Sequence, residues 1–179
     1  DLEMIKPVLL NLLTQFPQRV KLRFWGMIHP DLAQLPNVEF QQEKFSNYQE
    51  FARYFSRQQC DLFIAPLRNS LFNRCKSPIK FIEYSSLAIP GVYSHIEPYS
   101  NIVIHGRNGY LAATLEDWHT YLTKLVLDAR LRARLGWAAR QTVADQLLMS
   151  RHAHEWGTLY RSALAKSSPA SQTVDPVAN

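Results

Sequence analysis

Cys60-Asp-Leu-Phe-Ile-Ala-Pro-Leu67, a charged loop, and then Ser77-Pro-Ile-Lys-Phe-Ile-Glu-Tyr-Ser-Ser-Leu-Ala-Ile-Pro-Gly-Val-Tyr-Ser94 together decide the fold. The apolar run after Asp61 ends at Pro66 and predicts a buried strand. Ser77 as N-cap accepts an orphan backbone N–H and Pro78 at N1 needs none, so a helix is predicted to start there. That helix must stop before Pro90, where Pro-Gly-Val-Tyr-Ser reads as a second short strand. Strand, helix and strand in this order predict a parallel unit.

The same alternation extends outward in both directions. Upstream, Val20 to Gly26 and Asn37-Val-Glu-Phe-Gln41 read as strands, and Asn47 to Gln58 carries Tyr48, Phe51, Ala52 and Phe55 at helical spacing. The chain opens on a further helical pattern through Leu2, Ile5, Val8, Leu9, Leu12 and Leu13. Downstream, Ile102-Val-Ile-His-Gly-Arg-Asn-Gly-Tyr-Leu-Ala112 reads as a strand, an Asn108-Gly109 hairpin turn and a short strand. From Leu115 to about Lys166 the pattern is helical, with breaks near Asp128 and Met149. The expected architecture is an α/β, doubly wound, Rossmann-like parallel sheet over residues 1–166, followed by a disordered tail over 167–179 that is rich in small polar residues and lacks aromatics.

An α/β domain that opens on a helix is expected to lack its first strand. With no initiator Met, the chain is expected to be a piece of a longer protein. Its opening has no basic segment followed by a cleavage site, so it does not read as a signal peptide. Apolar runs fall well short of the roughly 20 residues of a membrane-spanning helix, so no transmembrane segment is expected. Cys60 and Cys75 are too few for a disulfide scaffold, which favours a reducing, cytoplasmic setting. The length of 179 residues suits one domain with its own core.

The formal net charge of +5 raises nucleic acid as a partner. Arg68, Arg74, Lys76 and Lys80 instead concentrate the excess within one stretch, from Pro66 to Ile82, that contains no acid. A compact basic loop either fits a small anion, better than a duplex, which needs cations spread over a face, or is simply a solvated loop. No nucleic acid partner is expected. In doubly wound sheets, ligands bind outside the carboxyl ends of the strands. The sequence places there a helix start at Ser77 and Pro78 whose free N–H groups favour anions, with the cations Arg74, Lys76 and Lys80 at the same spot. Glu83, three residues beyond Lys80, shares its side of the helix. Its carboxylate either accepts hydrogen bonds from the vicinal hydroxyls of a ribose or forms a surface pair with Lys80.

Taken together, the strand, the Lys80…Glu83 helix ending at Ala-Ile-Pro, and His105-Gly-Arg-Asn-Gly-Tyr-Leu-Ala112 resemble the donor-binding, C-terminal domain of retaining glycosyltransferases of the GT-B fold. The resemblance covers most of Val20 to Val143. It implies a UDP- or GDP-linked sugar as substrate, with Glu83 on the ribose and Lys80, Ser77 and Pro78 near the diphosphate. Asn73, Arg74 and Lys76 are implied only as loop neighbours. It further implies transfer with retention, no cofactor, a role in polysaccharide or glycoconjugate assembly, and a preceding acceptor-binding domain. Such an enzyme is expected in the cytoplasm or at the inner face of the membrane.

Two features depart from that pattern. Cys75 stands where the family often places a second glutamate, and the family's phosphate-binding Arg and Lys follow a first strand that would lie before Asp1. A non-catalytic nucleotide-binding or interaction module is the alternative. His29, His95, His105, His119, His152 and His154 show no ligand spacing, and no Asp-x-Asp is present, so no metal is expected. Gly-x-Ser-x-Gly, Walker A and Gly-x-Gly-x-x-Gly motifs are absent from the sequence. Trp156 and Tyr160 are expected to pack on the sheet or on a neighbouring domain. Arg130, Arg132, Arg134 and Arg140 are expected on a solvated helix face rather than a membrane-binding one.

Overall fold

The computed structural model describes residues 1–42 and 44–167. Among the described residues, eight α-helices and five strands follow one another as α1 (Leu2–Gln15), β1 (Leu22–Trp25), α2 (Pro30–Ala33), β2 (Val38–Gln41), α3 (Tyr48–Phe55), β3 (Phe63–Ala65), α4 (Leu71–Arg74), α5 (Ile79–Ser86), β4 (Gly91–Ser94), β5 (Tyr110–Ala112), α6 (Leu115–Leu127), α7 (Ala129–Gln146) and α8 (Met149–Ser167). All strand pairs are parallel. β1 pairs with β2, and β3, β4 and β5 form a second ladder with β4 in the middle. The α/β doubly wound class is therefore as expected, except that the strands divide into two ladders instead of one sheet.

Both faces are covered. On one side α1 presents Ile5, Val8, Leu9 and Leu12 to a cluster with Val92, Trp118 and Leu122. On the other, Phe81 and Tyr84 of α5 join Phe55, Phe63 and Tyr93. The Tyr84 ring stacks on Phe63 with centroids 4.1 Å apart, and Phe55 lies 5.2 Å from Phe63. Burial of side chains this size stabilises by roughly 1.5–3 kcal/mol each, so α5 is firmly seated over β3 and β4. β4 is buried along its whole length, which matches a Gly-Val-Tyr-Ser segment with no charge in it.

The helix breaks fall where the sequence places them. Asp128 ends α6 and caps α7 by accepting from the Leu131 N–H at 2.9 Å. Thr114 and Asp117 close a capping box at the start of α6: Asp117 N–H donates to Thr114 Oγ1, and Thr114 N–H donates to Asp117 Oδ2, both at 3.1 Å. The hydrogen bond from Ala113 N–H, together with that from Thr114, holds the Asp117 carboxyl below its usual range. Thr114→Ala is expected to lower stability by about 1 kcal/mol, read as a shift in the urea midpoint at unchanged slope.

Three expectations are corrected and a fourth is narrowed. Ile102 to His105 is not a strand: a 3₁₀ turn over Tyr99–Asn101 leads into a loop with a single bridge from His105 to Gly109. The Asn108-Gly109 turn does not join antiparallel strands, because β5 runs parallel to β4. Asn108 is instead buried, accepting from Ile104 N–H at 2.7 Å and donating to Ile102 C=O and Thr142 Oγ1, which ties this loop to α7. Trp156 and Tyr160, expected on the sheet or on a neighbouring domain, are exposed and stand against one another, 6.3 Å between centroids, so the sheet is not what they pack on. Arg130, Arg134 and Arg140 are exposed as expected, whereas Arg132 turns back to donate to Leu125 C=O at 2.7 Å and pairs with Asp61 at 3.1 Å. The tail expected from Ser167 onward lies outside the described residues, apart from Ser167 itself.

Candidate functional site

The site expected from the sequence lies at the carboxyl ends of β3 and β4, where two segments are pinned together. Ser94, at the end of β4, is buried and its Oγ accepts from the Leu67 N–H at 2.8 Å. This fixes the chain as it leaves β3 for the basic loop. That loop contains a short helix not expected from its sequence, α4, capped by Ser70 Oγ on the Asn73 N–H. Its apolar residues Leu71 and Phe72 face solvent, so they leave no periodic signature. The serine cap was the one available signal.

The candidate residues separate into two groups. Asn73 is buried and its Nδ2 donates to Arg68 C=O at 2.8 Å and to Asp1 Oδ1 at 3.0 Å. Asp1 Oδ1 also accepts from the Arg68 N–H at 2.8 Å, and its other oxygen lies 3.9 Å from Lys76 Nζ. A carboxylate distant in sequence thus enters the basic loop and holds it against the start of α1. Arg74 Nε donates to Asn69 Oδ1 at 2.8 Å, and Lys76 lies over the Phe72 ring at 4.9 Å. Cys75, exposed, forms the C-cap of α4. No carboxylate stands in its place.

The second group is on α5. Pro78, rather than Ser77, occupies the cap position, with no side-chain hydrogen bond to the helix start, and Ser77 is exposed one residue before it. The expected cap is displaced because Pro78 has ψ of 35°, outside the helical range, so the first helical residue is Ile79. Lys80 lies in the first turn, and its Nζ reaches Glu83 Oε2 at 3.2 Å. The lysine is half exposed, but the Glu83 side chain is only 7% exposed. A carboxylate this enclosed is not an ordinary surface group, because burial of a charge costs energy unless partners compensate.

Two phenols report where that carboxylate faces. Tyr99 is pushed up to about 12, chiefly by burial and then by the Glu83 charge. Tyr48, at the start of α3, is raised by desolvation and next by the same carboxylate. Its helical spacing suggests a core residue, yet Tyr48 is exposed. Tyr48 at the start of α3 and Tyr99 in the turn after β4 therefore both lie within reach of the Glu83 charge. The free cysteines differ too: burial, the largest influence, pushes the half-buried Cys60 thiol up, and Cys75 is open to solvent. A thiol-specific chromophore at pH 8 is expected to label one thiol per chain at once and the second at least tenfold more slowly.

Parallel strands between two helical layers, with a helix start and basic loop at their carboxyl ends, can be set beside known structures. The sucrose-phosphate synthase of Thermosynechococcus elongatus superposes with a TM-score of 0.67 over 93% of this chain, at 18% identity. The fold is that of the GT-B glycosyltransferases. TarM superposes at 0.66 over 89% of the chain with 18% identity, and Anabaena HepE, in a complex with UDP and glucose, at 0.66 over 90% with 14% identity. The chain spans 44%, 32% and 46% of the lengths of these three structures. No protein-family profile matches the sequence, and no curated protein matches it. Among the described residues no helix is long and apolar enough to cross a membrane, and no three His, Cys, Asp or Glu side chains gather as a metal-binding group.

Proposed function

We propose that this chain is the donor-binding part of a retaining glycosyltransferase, taking a UDP- or GDP-linked sugar at the carboxyl ends of β3 and β4. The observation that carries this reading is Glu83: an enclosed carboxylate on α5, at the ligand-binding end of a GT-B fold. In this reading its two oxygens accept from the 2′- and 3′-hydroxyls of the ribose. The N-terminal N–H groups of α5 and the side chains of Lys80, Lys76 and Arg74 lie toward the diphosphate, with Ser77, Pro78 and Asn73 shaping the approach. Stabilising the departing diphosphate is then electrostatic, by fixed N–H dipoles and cations, and needs no metal or cofactor. The acceptor and any catalytic base come from a preceding domain. The reaction belongs to polysaccharide or glycoconjugate assembly, in the cytoplasm or at the inner face of the membrane.

A non-catalytic module is the second reading, favoured by Cys75 in place of a carboxylate and by the Lys80–Glu83 pair, which satisfies both groups without a ligand. Calorimetry with UDP, GDP and their sugars tests the first reading. A nucleoside diphosphate is expected to bind and to raise the melting temperature. Absence of any shift at millimolar nucleotide would overturn the donor site.

A further inference from the structure

α8 has no residue in the core: from Met149 to Ala165 none is buried, and only His152 and Gly157 are half-buried. Most helices in folded proteins are held by the packing of an apolar face. On α8 the apolar residues that share one side at helical spacing, Met149, Trp156 and Tyr160, are exposed. The direction of the helix is therefore set at its junction with α7, where Leu147 and Leu148 separate the two. Among the described residues, two polar links cross this break. Arg151 Nη2 lies 3.8 Å from Asp145 Oδ1, a loose pair of two exposed groups. His152 Nε2 meets the Gln146 C=O at 2.7 Å, a much closer contact.

The imidazole has a second partner. Its Nδ1 lies 3.2 Å from Glu155 Oε1, one turn further along α8. Both partners only accept hydrogen bonds: one is a carboxylate, and the other is among the last carbonyls of α7, which a helix leaves without an internal donor. A neutral imidazole has one N–H and can serve one of them. The imidazolium has two and serves both. The charges around the ring are divided. The carbonyl end of α7 and Glu155 favour a cation, whereas Arg151, itself drawn toward Asp145, and the free N–H groups at the start of α8 oppose one. The first group prevails: the Gln146 carbonyl, and next Glu155, raise the imidazole above its usual range against desolvation and Arg151.

We propose that His152 is a pH-sensitive clasp between α7 and α8: as the imidazolium it bridges the Gln146 carbonyl and the Glu155 carboxylate and holds α8 at a fixed angle, and as the neutral ring it releases one of them, so that the first turn of α8 loosens about Leu147 and Leu148. The sign follows from linkage. A histidine that binds its proton more tightly when clasped contributes its full stabilisation below the unfolded value of about 6.5 and loses it as pH rises through the clasped value. The side of α8 that carries Met149, Trp156 and Tyr160 thus keeps one direction at low pH and ranges more widely at high pH, with no change in the sheet.

Imidazole NMR titration and native-state amide hydrogen exchange of the whole chain test this together. The His152 midpoint is expected to be higher in the folded chain than in urea. Between about pH 5.5 and about pH 8.5, exchange of the Ala153 to Trp156 amides, corrected for the intrinsic effect of pH, is expected to quicken at least threefold, while Leu135 and Ala139 in α7 hold their protection. Glutamine keeps a side-chain N–H donor but takes up no proton, so His152→Gln is expected to abolish the step and leave Leu135 and Ala139 as they were. Glu155→Gln keeps an acceptor without its charge and is expected to lower the His152 midpoint and shrink the step. A folded midpoint at or below that in urea would overturn the proposal, as would a step that survives His152→Gln. A step shared equally by Leu135 and Ala139 would belong to the whole domain and overturn it as well. No nucleotide enters the experiment, so its outcome is separate from that of the donor site.

Discussion

Gly136→Ala is expected to destabilise the protein by about 3 kcal/mol, at the upper end of what overpacking a core costs. Helix propensity alone points the other way, since Ala is favoured over Gly in a helix interior by roughly 1 kcal/mol. Packing decides the sign. A Cβ on Gly136 would lie 1.9 Å from the Ala88 carbonyl oxygen and 2.7 Å from its carbon, with the Pro90 ring at 3.2 Å. These are backbone and ring atoms, which cannot swing aside as a side-chain tip can. Ala88 has φ of 56°, in the left-handed region, so its segment already holds an unfavoured conformation and has little freedom to retreat. α5 and α7 must separate, and α5 carries Lys80 and Glu83. At roughly 2–4 °C per kcal/mol for a domain of this size, the melting temperature should fall by about 6–12 °C. An unchanged or higher melting temperature would show that α5 and α7 do not approach this closely.

What the sequence could and could not reveal follows from the range of each interaction. The helices after Leu115 were legible because their signals are local: Thr114 and Asp117 lie three apart, Asp128 caps its own helix, and the apolar spacing between them is regular. β3, α5 and β4 were legible because buried apolar runs and proline boundaries also act within a few residues. The basic loop was half legible. Its charge could be counted, but the acid that holds it, Asp1, is 67 residues from Arg68 and 72 from Asn73. Asn108 shows the same limit in reverse. Next to Gly109 it has the identity of a turn residue, yet its side chain serves a buried junction with Thr142 on α7. Within the candidate site, Glu83 could be placed on the same side of α5 as Lys80 from spacing alone. Its enclosure, with the side chain only 7% exposed, could not.

Glu83→Ala is expected to weaken UDP or GDP binding at least thirtyfold, with Arg130→Ala, on the exposed start of α7, unchanged. Two hydrogen bonds from ribose hydroxyls to a carboxylate are worth roughly 1.5–3 kcal/mol each, and thirtyfold needs only about 2 kcal/mol. An opposing effect must be weighed. Removing Glu83 releases Lys80, whose ammonium lies 3.2 Å from the carboxylate, and a released cation attracts a diphosphate more strongly. The lysine is half exposed, so solvent screening limits that gain to under about 1 kcal/mol. The ribose contacts win, and the two effects can be separated by ligand. Inorganic pyrophosphate carries the charge without the ribose, and the Glu83→Ala variant should bind it as well as or better than the parent chain does. A nucleoside diphosphate lacking both ribose hydroxyls should bind the parent chain as weakly as UDP binds the variant, and the variant no more weakly still. Equal losses for UDP and pyrophosphate would mean instead that Glu83 acts by holding α5 in place. Unchanged UDP binding would reduce the carboxylate to the internal partner of Lys80.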